Sequence, residues 1–475
     1  MPTWSNLARV ILSDMAETAF YDSFLKETAS RINDAELHGH IDQARRNYRQ
    51  SFGASLKQFT DLDSARRRAA HIRWKAINDL EKYLIQFEST FIKSGGKVIW
   101  ARDAAEARSE IATIIQKSGA KSIVKSKSLT ADEIGLGSAL TDAQVAWTET
   151  DLGQFILQLA KEEPSHMVMP ALHKSAEEVR YLFNKAGIQS DSASAIELSL
   201  RAADHIRGKY LAPDVGITGA NFLIADEGAV AITENEGNVM LAASRAKIHI
   251  VLVGIDKILP SVKDLQTMWP LLATYGTGQK ITSYNSIIWG PRKADEVDGP
   301  EQMYVVLIDN GRTDVMADEV QRGVMSCIRC GACQYADPVY SIIGGQTYHS
   351  TRMGPPATVV EPVINGMKSH GFFSDLSTLS GADTEHCPVN INFNKLLLDN
   401  RRKKAEQEPA LSPERLFFTL WRNAMIKRDS SKWKTLKPRR YFLDELFFKS
   451  TTGLRVMREP AKETFNDLWK KRFAV

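Results

Sequence analysis

The sequence is poor in several features that would place it in a specialised class of protein. It has only 4 cysteines among 475 residues, too few for the dense disulfide framework of a small secreted domain. No stretch approaches the roughly 20 consecutive apolar residues that a membrane-spanning helix requires. The first ten residues have neither a basic start nor a long apolar run, so we expect no secretory signal and a cytoplasmic location.

Charge of one sign is not in excess either. The 61 Lys and Arg residues outnumber the 57 Asp and Glu residues by only 4, which argues against a nucleic-acid partner. A hydrophobic fraction of 43% excludes disorder as the dominant state, because enough apolar surface is available to offset chain entropy. The length of 475 residues predicts two to four domains at the common size of about 150 residues each.

Hydrophobic periodicity divides the chain into four parts. They are a helical N-terminal segment, an α/β domain, a cysteine-bearing part with little regular pattern and a basic, aromatic-rich helical region, over residues 1–61, 62–312, 313–400 and 401–475. The mostly α character of the third part is implied only by the family resemblance described below. A long helix with one buried face is predicted from a cap at Asp63 or Ser64 to a stop at Ser94. The run Arg66–Arg68 on this helix is interpreted as a solvated face.

Short apolar strands alternate with helices in the second part. The predicted strands are Val98–Trp100, Ser122–Lys125, Val145–Trp147, His166–Met169, Ile248–Val253, Ser286–Trp289 and Tyr304–Ile308. This alternation predicts a mainly parallel sheet covered on both faces. The segment from Phe222 to Thr233 differs, because it is typical of a β-hairpin with a two-residue turn. His249 lies in an apolar strand and is predicted to be a core residue.

Three of the cysteines form a C-x2-C-x2-C motif, Cys327, Cys330 and Cys333, and the fourth, Cys387, precedes a proline. This spacing places three thiolates around one corner of a [4Fe–4S] cubane, which needs a fourth thiolate from elsewhere. In two-cluster ferredoxins the run continues to another Cys-Pro, which binds the other cluster. Here that position is Asp337. The partner motif has Ser380 and Asp383 where cysteines are expected, so this chain keeps thiolates for only one complete site.

Three alternatives to one [4Fe–4S] cluster remain open at this stage. Four cysteines also form structural zinc sites, although paired C-x2-C motifs are more usual there. The cysteines could instead be free thiols. Oxygen ligands from Asp337, Ser380 and Asp383 could hold a second, labile cluster, but hard oxygen ligands suit iron–sulfur iron poorly.

Several longer motifs, taken together, resemble the LutB family of lactate-utilisation iron–sulfur proteins from about residue 60 to residue 400. Beside the cysteine motif they are Lys125–Gly135, Glu149–Gly153, Pro164–Lys174, Gly216–Asn221, Asn235–Asn238, Gly276–Gln279, Asp298–Glu301 and Val339–Gly345. The resemblance implies a LUD domain, with a fold similar to the NagB/RpiA/CoA-transferase α/β fold, followed by a ferredoxin-like module and a helical tail. It also implies electron transfer in the oxidation of L-lactate to pyruvate, as a component of a complex rather than as a stand-alone enzyme. The companions would be a second iron–sulfur protein and a LUD-only protein.

Carried over by position, the family's first cluster falls on Cys327, Cys330, Cys333 and Cys387. Its second cluster falls on Asp337, Ser380 and Asp383, where this sequence departs from the pattern. A single-cluster electron carrier is therefore the leading hypothesis. The rival hypotheses are a non-redox or sensory LUD-domain protein with a structural cluster, and an enzyme acting on CoA esters or sugar phosphates.

A second candidate site is predicted in the α/β domain. Ligands of open α/β sheets gather beyond the carboxyl ends of the strands, where polar and basic residues are present in this chain. The candidate pocket residues are Lys125, Lys127, Thr218, Asn221, Glu236 and Asn238. Together they would suit a small carboxylate or phosphate compound. No Ser–His–Asp order, Walker loop or His-Glu-x-x-His motif assigns a catalytic residue.

Overall fold

Six parallel strands form the main sheet in a computed structural model that describes residues 19–407, 415–416, 419, 422–423 and 465–473. Their spatial order is β1-β10-β7-β4-β2-β3. These strands are β1 Lys97–Ala101, β2 Ser122–Lys125, β3 Ala146–Glu149, β4 Val215–Thr218, β7 Ile248–Gly254 and β10 Gln302–Ile308. The predicted parallel α/β sheet is confirmed.

Both faces of this sheet are buried, as predicted. Side chains alternate along β7, so that Ile250 and Leu252 enter one core cluster while Val251 and Val253 enter the other. Buried β-branched residues on neighbouring strands continue each layer. Helices cover the sheet because parallel strands must be joined by crossovers. Those between β1 and β7 are α5 Ala104–Ser118, α6 Leu129–Glu133, α7 Leu136–Asp142, α8 Leu152–Ala160, α9 Ala176–Lys185, α10 Ala195–Tyr210 and α11 Asn238–Arg245.

A second, four-stranded sheet lies within the same domain. Its strands are β5 Phe222–Ile224, β6 Ala229–Glu234, β8 Ile258–Leu259 and β9 Tyr284–Ile288, in the order β8-β5-β6-β9. The predicted hairpin is present, but its turn is longer than predicted, since Ile224 pairs with Ala229 and four residues separate the strands. The strand predicted at Ser286–Trp289 belongs to this sheet, antiparallel to β6.

The segment predicted as strand His166–Met169 is a bend in the chain, so that prediction is wrong. The ring nitrogen Nδ1 of His166 accepts hydrogen bonds from the backbone N–H groups of Val168 and Met169, both at 3.1 Å. Those donors are therefore not free to pair with a neighbouring strand.

The N-terminal part is helical, as predicted, through residues 19–32 (α1) and Ala35–Ser55 (α2). The single long helix predicted next is two helices, α3 Leu62–Asn78 and α4 Leu80–Lys93. The side chain of Asn78 donates to the carbonyl of Trp74 at 2.8 Å, and such local bonds compete with helix continuation. The N-terminal cap of α3 is Asp61, which accepts from Ser64 N at 2.9 Å.

The cysteine segment consists of short helices and loops and contains no strand among its described residues. The segment follows β10. The α/β domain before it also contains a longer helix, α12 Leu265–Thr277, which precedes β9. The helices of the cysteine segment are α13 Arg312–Ala317, α14 Ala332–Ala336, α15 Tyr340–Ile343, α16 Pro355–Ile364, α17 Met367–His370, α18 Ala382–Glu385 and α19 Phe393–Gln407.

The aromatic-rich region predicted after residue 401 lies largely outside the described residues. Its described parts include a helix at Phe465–Phe473. In the portion of the chain that is described, no helix is both long enough and apolar enough to cross a membrane.

Candidate functional site

The four cysteines line one small cavity in the cysteine segment. Cys327 follows a 3-10 turn at Gln321–Ser326, and Cys333 lies on α14. Cys387 follows α18, more than fifty residues further along the chain. The fold therefore brings Cys387 to the same cavity as the C-x2-C-x2-C motif, with which the sequence analysis grouped it.

Two residues of the motif have positive φ angles, which bend the backbone around this cavity. Arg329 has a φ of 56° and Gly331 a φ of 76°, values that an L-residue other than glycine rarely adopts. Two backbone N–H groups point at the sulfur atoms: Arg329 N lies 3.3 Å from Cys327 Sγ, and Ile391 N lies 3.3 Å from Cys387 Sγ. Such donors stabilise thiolate sulfur.

Burial and mutual repulsion control the charge of the cysteines. Burial raises the pKa of the Cys330 and Cys333 thiols, and raises that of Cys387 to about 12. Charge on the neighbouring sulfurs raises all three further, so adjacent buried thiolates need a positive partner. Among the described residues no group of three or more Cys, His, Asp or Glu side chains is placed to hold a single metal ion.

Basic side chains hold the loops that carry the cysteines. Arg66 on α3 donates to Cys387 O at 2.9 Å, whereas Arg67 and Arg68 are exposed. The interpretation of this arginine run as a solvated face is thus wrong for Arg66. Lys257 Nζ donates to Cys327 O at 2.8 Å and lies 2.9 Å from a carboxylate oxygen of Asp256.

Arg73, also on α3, is fully buried. Its guanidinium donates to the main-chain carbonyls of Ile258, Met325 and Ser326 at 2.7, 3.1 and 3.2 Å, and also to that of Asp256. The last two residues before Cys327 are therefore fixed to the α/β domain by a charged side chain.

The positions of the family's second cluster carry side chains that bond to the backbone. Asp337 is buried and accepts from Val339 N at 3.2 Å and Tyr340 N at 3.0 Å. Asp383 accepts from Thr384 N at 2.8 Å, and Ser380 is exposed, with Ala382 N 3.4 Å from its hydroxyl. Burial raises the pKa of Asp337 to about 6, and burial also raises the pKa of Asp383. None of these three residues lines the cavity of the four cysteines.

A larger cavity of about 410 Å³ lies in the α/β domain. Four of the six predicted pocket residues line it, namely Lys127, Asn221, Glu236 and Asn238. The other two are used inside the fold. Lys125 Nζ is 2.5 Å from Glu149 Oε1, its partner in the register of β2 and β3, and Thr218 Oγ1 is 2.8 Å from His249 Nε2.

Two further cations in this cavity were not predicted from the sequence. Lys257 and Arg329 both line it, together with Cys330. The sequence places Arg329 inside the cysteine motif but does not otherwise indicate that it lines a cavity. Lys257 lies in a part of the sequence that has no recognised motif. Met167, Ile328 and Cys330 line this cavity and also the cavity of the four cysteines. The two cavities therefore share a wall.

An ion-pair network joins the cysteine motif to the α/β domain. Glu133 Oε2 lies 2.8 Å from Arg312 and 3.2 Å from Arg329, and its other oxygen lies 3.3 Å from Arg352. Burial alone would raise the pKa of Glu133, but the three guanidinium groups hold it well below its usual range. Arg312 also lies 2.7 Å from Asp256.

Comparison with known proteins identifies the relatives of this chain. The LUD domain family matches residues 84–308, a range that holds the ten strands found among the described residues. "Lactate utilization protein B" of Shouchella clausii is 34% identical over 460 residues, 94% of this chain and 97% of that protein. The chain belongs to the lactate utilization protein B family.

Two further relatives match most of this chain. "Lactate utilization protein B" of Bacillus subtilis is 34% identical over 463 residues, 95% of this chain and 96% of that protein. The "Uncharacterized electron transport protein YkgF" of Escherichia coli is 38% identical over 367 residues, 76% of this chain and 77% of that protein. The predicted resemblance to the LutB family is confirmed, and the similarity extends over nearly the full length of this chain.

Proposed function

We propose that this chain is an electron-transfer protein of L-lactate oxidation to pyruvate and that it carries one [4Fe–4S] cluster. The observation that carries the proposal is the convergence of the chain's 4 cysteines on one buried cavity. Relatives named for lactate utilization and for electron transport support the physiological part. When bound, such a cluster accepts and releases one electron reversibly.

The residues around the cavity support an anionic, thiolate-ligated group. Two buried cations lie near Cys327. Lys257 donates to its carbonyl, and Arg73 donates to the carbonyls of the two residues before it. Uncompensated buried charge is costly. Charge at Cys327 acts electrostatically on both cations, so an anionic group at the four cysteines would be stabilised by them.

The case for one cluster, and against two, comes from the side chains at the second set of positions. Asp337 and Asp383 already accept hydrogen bonds from backbone N–H groups, and hard carboxylate oxygens are poor ligands for iron–sulfur iron. We therefore assign no ligand role to Asp337, Ser380 or Asp383. The assignment of residues 313–400 as a ferredoxin-like module remains part of the proposal.

We further propose that the chain acts in the cytoplasm with two companion proteins, a second iron–sulfur protein and a LUD-only protein. It would pass electrons and would not turn over lactate by itself. In the rival hypothesis the cluster is structural or sensory. Reversible one-electron reduction of the purified protein distinguishes the two, because a structural cluster needs no accessible couple.

Metal analysis of anaerobically purified protein tests the cluster assignment. We expect about four irons and four sulfides per chain and no stoichiometric zinc. Cys387→Ser should lose iron as severely as Cys330→Ser, whereas Asp337→Ala, Ser380→Ala and Asp383→Ala, the matched controls, should keep it. About eight irons per chain would contradict the single site, and one zinc would replace it with a structural zinc site.

Growth of the source organism tests the physiological role. Deleting the gene should impair growth on L-lactate and spare growth on pyruvate. A version with all four cysteines replaced by serine should not restore growth on L-lactate. Full restoration by that version would support the rival hypothesis.

A further inference from the structure

Two arginines, Arg73 and Arg312, are completely buried, and their charges are balanced in different ways. Arg312 lies 2.8 Å from a carboxylate oxygen of Glu133 and 2.7 Å from one of Asp256, so carboxylates compensate its charge. In the described part of the chain no carboxylate forms an ion pair with Arg73, whose hydrogen bonds all go to main-chain carbonyl oxygens. The hydrogen-bond donors of Arg73 are therefore satisfied, but its charge is not.

The charge of Arg73 needs a negative partner. An arginine side chain stays protonated in a protein, and a buried charge without an opposite charge nearby is costly. Burial lowers the pKa of Arg73, whereas negative charge at Asp256 and at Cys327 acts in the opposite direction. Asp256 is already paired with Lys257 and Arg312. Of the two sources, the cysteine site is therefore the one left to compensate Arg73.

Arg73 is held beside the cysteine site by the main chain that precedes Cys327. Its guanidinium donates to the carbonyls of Met325 and Ser326 at 3.1 and 3.2 Å. These bonds fix the position of the charge, and its complete burial excludes the water and salt that would screen it. A fixed and unscreened charge responds strongly to any change of charge at the cysteines.

Other groups around the cysteines act in the same sense. Lys257 Nζ donates to Cys327 O at 2.8 Å. The backbone N–H groups of Arg329 and Ile391 lie 3.3 Å from the sulfur atoms of Cys327 and Cys387. Reduction of an iron–sulfur cluster adds one negative charge, which nearby cations and N–H donors stabilise, so these groups favour the reduced state.

From this arrangement we propose that Arg73 is the buried counter-cation of the cluster and that its fixed charge raises the reduction potential of the site. The inference rests on the proposed function for the presence of the cluster, and it adds the residue that makes the site a better electron acceptor. The step is the uptake of one electron released by lactate oxidation. No bond forms or breaks at Arg73, which keeps its proton and acts as a positioning residue, not as a ligand.

A redox titration of the full-length protein at pH 7, followed by the visible absorbance of the cluster, tests this inference. Each variant is first reconstituted anaerobically with iron and sulfide. Arg73→Met should lower the equilibrium constant for one-electron reduction about tenfold, which lowers the midpoint potential by about 59 mV. The matched control, Arg67→Met, removes the same charge from an exposed position on the same helix, where solvent screens it. Its midpoint potential should equal that of the wild type.

Loss of iron alone cannot imitate this shift, because the midpoint potential is a property of the clusters present and not of their number. Lys257→Met removes the other buried cation beside Cys327 and should lower the potential in the same direction, so it carries the test if Arg73→Met holds too little iron. An unchanged or raised potential in the titrated variant, or an equal shift in Arg67→Met, would overturn the inference and leave the proposed function intact. A wild-type cluster that cannot be reduced reversibly would refute the proposed function itself, and the inference with it.

Discussion

Arg73 offers the sharpest test of how the cysteine segment is attached to the α/β domain. Replacing it in the variant Arg73→Met keeps most of the apolar stem and removes the donors to four main-chain carbonyls. Each buried acceptor left without a partner costs about 1 kcal/mol or more. The buried guanidinium also carries a desolvation cost that the variant relieves. We therefore expect a net loss of about 2–4 kcal/mol in the free energy of unfolding.

Urea unfolding of the full chain, followed by far-UV circular dichroism, measures this change. The matched control is Arg67→Met on the same helix, where the exposed side chain donates to Ser64 Oγ at 2.9 Å. That substitution should change the free energy by less than about 0.5 kcal/mol. Equal effects of the two substitutions would refute the idea that Arg73 anchors the segment.

The same variant should also weaken the iron site. Two of the carbonyls that Arg73 binds, those of Met325 and Ser326, immediately precede Cys327. Without the guanidinium this part of the loop opens more readily, because local opening is governed by the contacts that hold a segment. Arg73→Met should therefore lose its visible iron–sulfur absorbance to a chelator faster than Arg67→Met does. Equal rates of loss would show that the loop is held by other contacts.

Two further predictions concern the α/β domain. Burial lowers the pKa of His249 to about 3. As the pH falls below about 6.5, the unfolded chain therefore binds a proton at this residue before the folded chain does, and the free energy of unfolding falls by up to about 1.4 kcal/mol per pH unit. His249→Gln should flatten this pH dependence between pH 6.5 and 5, whereas His71→Gln, at an exposed position, should not. Gly228 has a φ of 57°, and an added Cβ would lie 2.4 Å from Phe91 N, so Gly228→Ala should lower the urea midpoint. At Gly208 on α10 an added Cβ would meet open space. Gly208→Ala should therefore raise the urea midpoint and increase the free energy of unfolding by about 0.5–1 kcal/mol. Midpoint shifts of the same sign in the two variants would contradict the steric argument.

Hydrophobic periodicity was sufficient to predict the main sheet, because strands buried on both faces, such as Ile248–Gly254, consist of apolar residues throughout. The cysteine site was predictable for a different reason. Iron–sulfur ligation requires one residue type at a narrow spacing, and the position of Cys387 before a proline is itself a recognised part of the motif. Burial of His249 was also correctly predicted from its apolar neighbours.

The errors arose where a polar side chain decides the local structure. His166 accepts two backbone N–H groups and converts an apolar stretch into a bend. Asn78 bonds back to Trp74 O where one long helix was predicted. In the pocket, a lysine at the end of a strand is a candidate ligand until the register places Glu149 opposite Lys125. Residue type and local pattern do not indicate which charges the tertiary structure has already paired.

The distribution of charge around the cysteines links metal binding to the stability of the fold. Arg73 and Lys257 are buried, and burial lowers the pKa of each although Asp256 and Cys327 act in the opposite direction. A chain without its metal keeps the cations but loses the thiolate charge, because the pKa values of the buried thiols are raised and they become neutral. We therefore expect Arg73 and Lys257 to be less well compensated in the metal-free protein than in the metal-bound protein. Metal bound at Cys327 would stabilise Arg73 on α3, although Arg73 has no ligand role. We expect metal binding and attachment of the cysteine segment to be coupled for this reason.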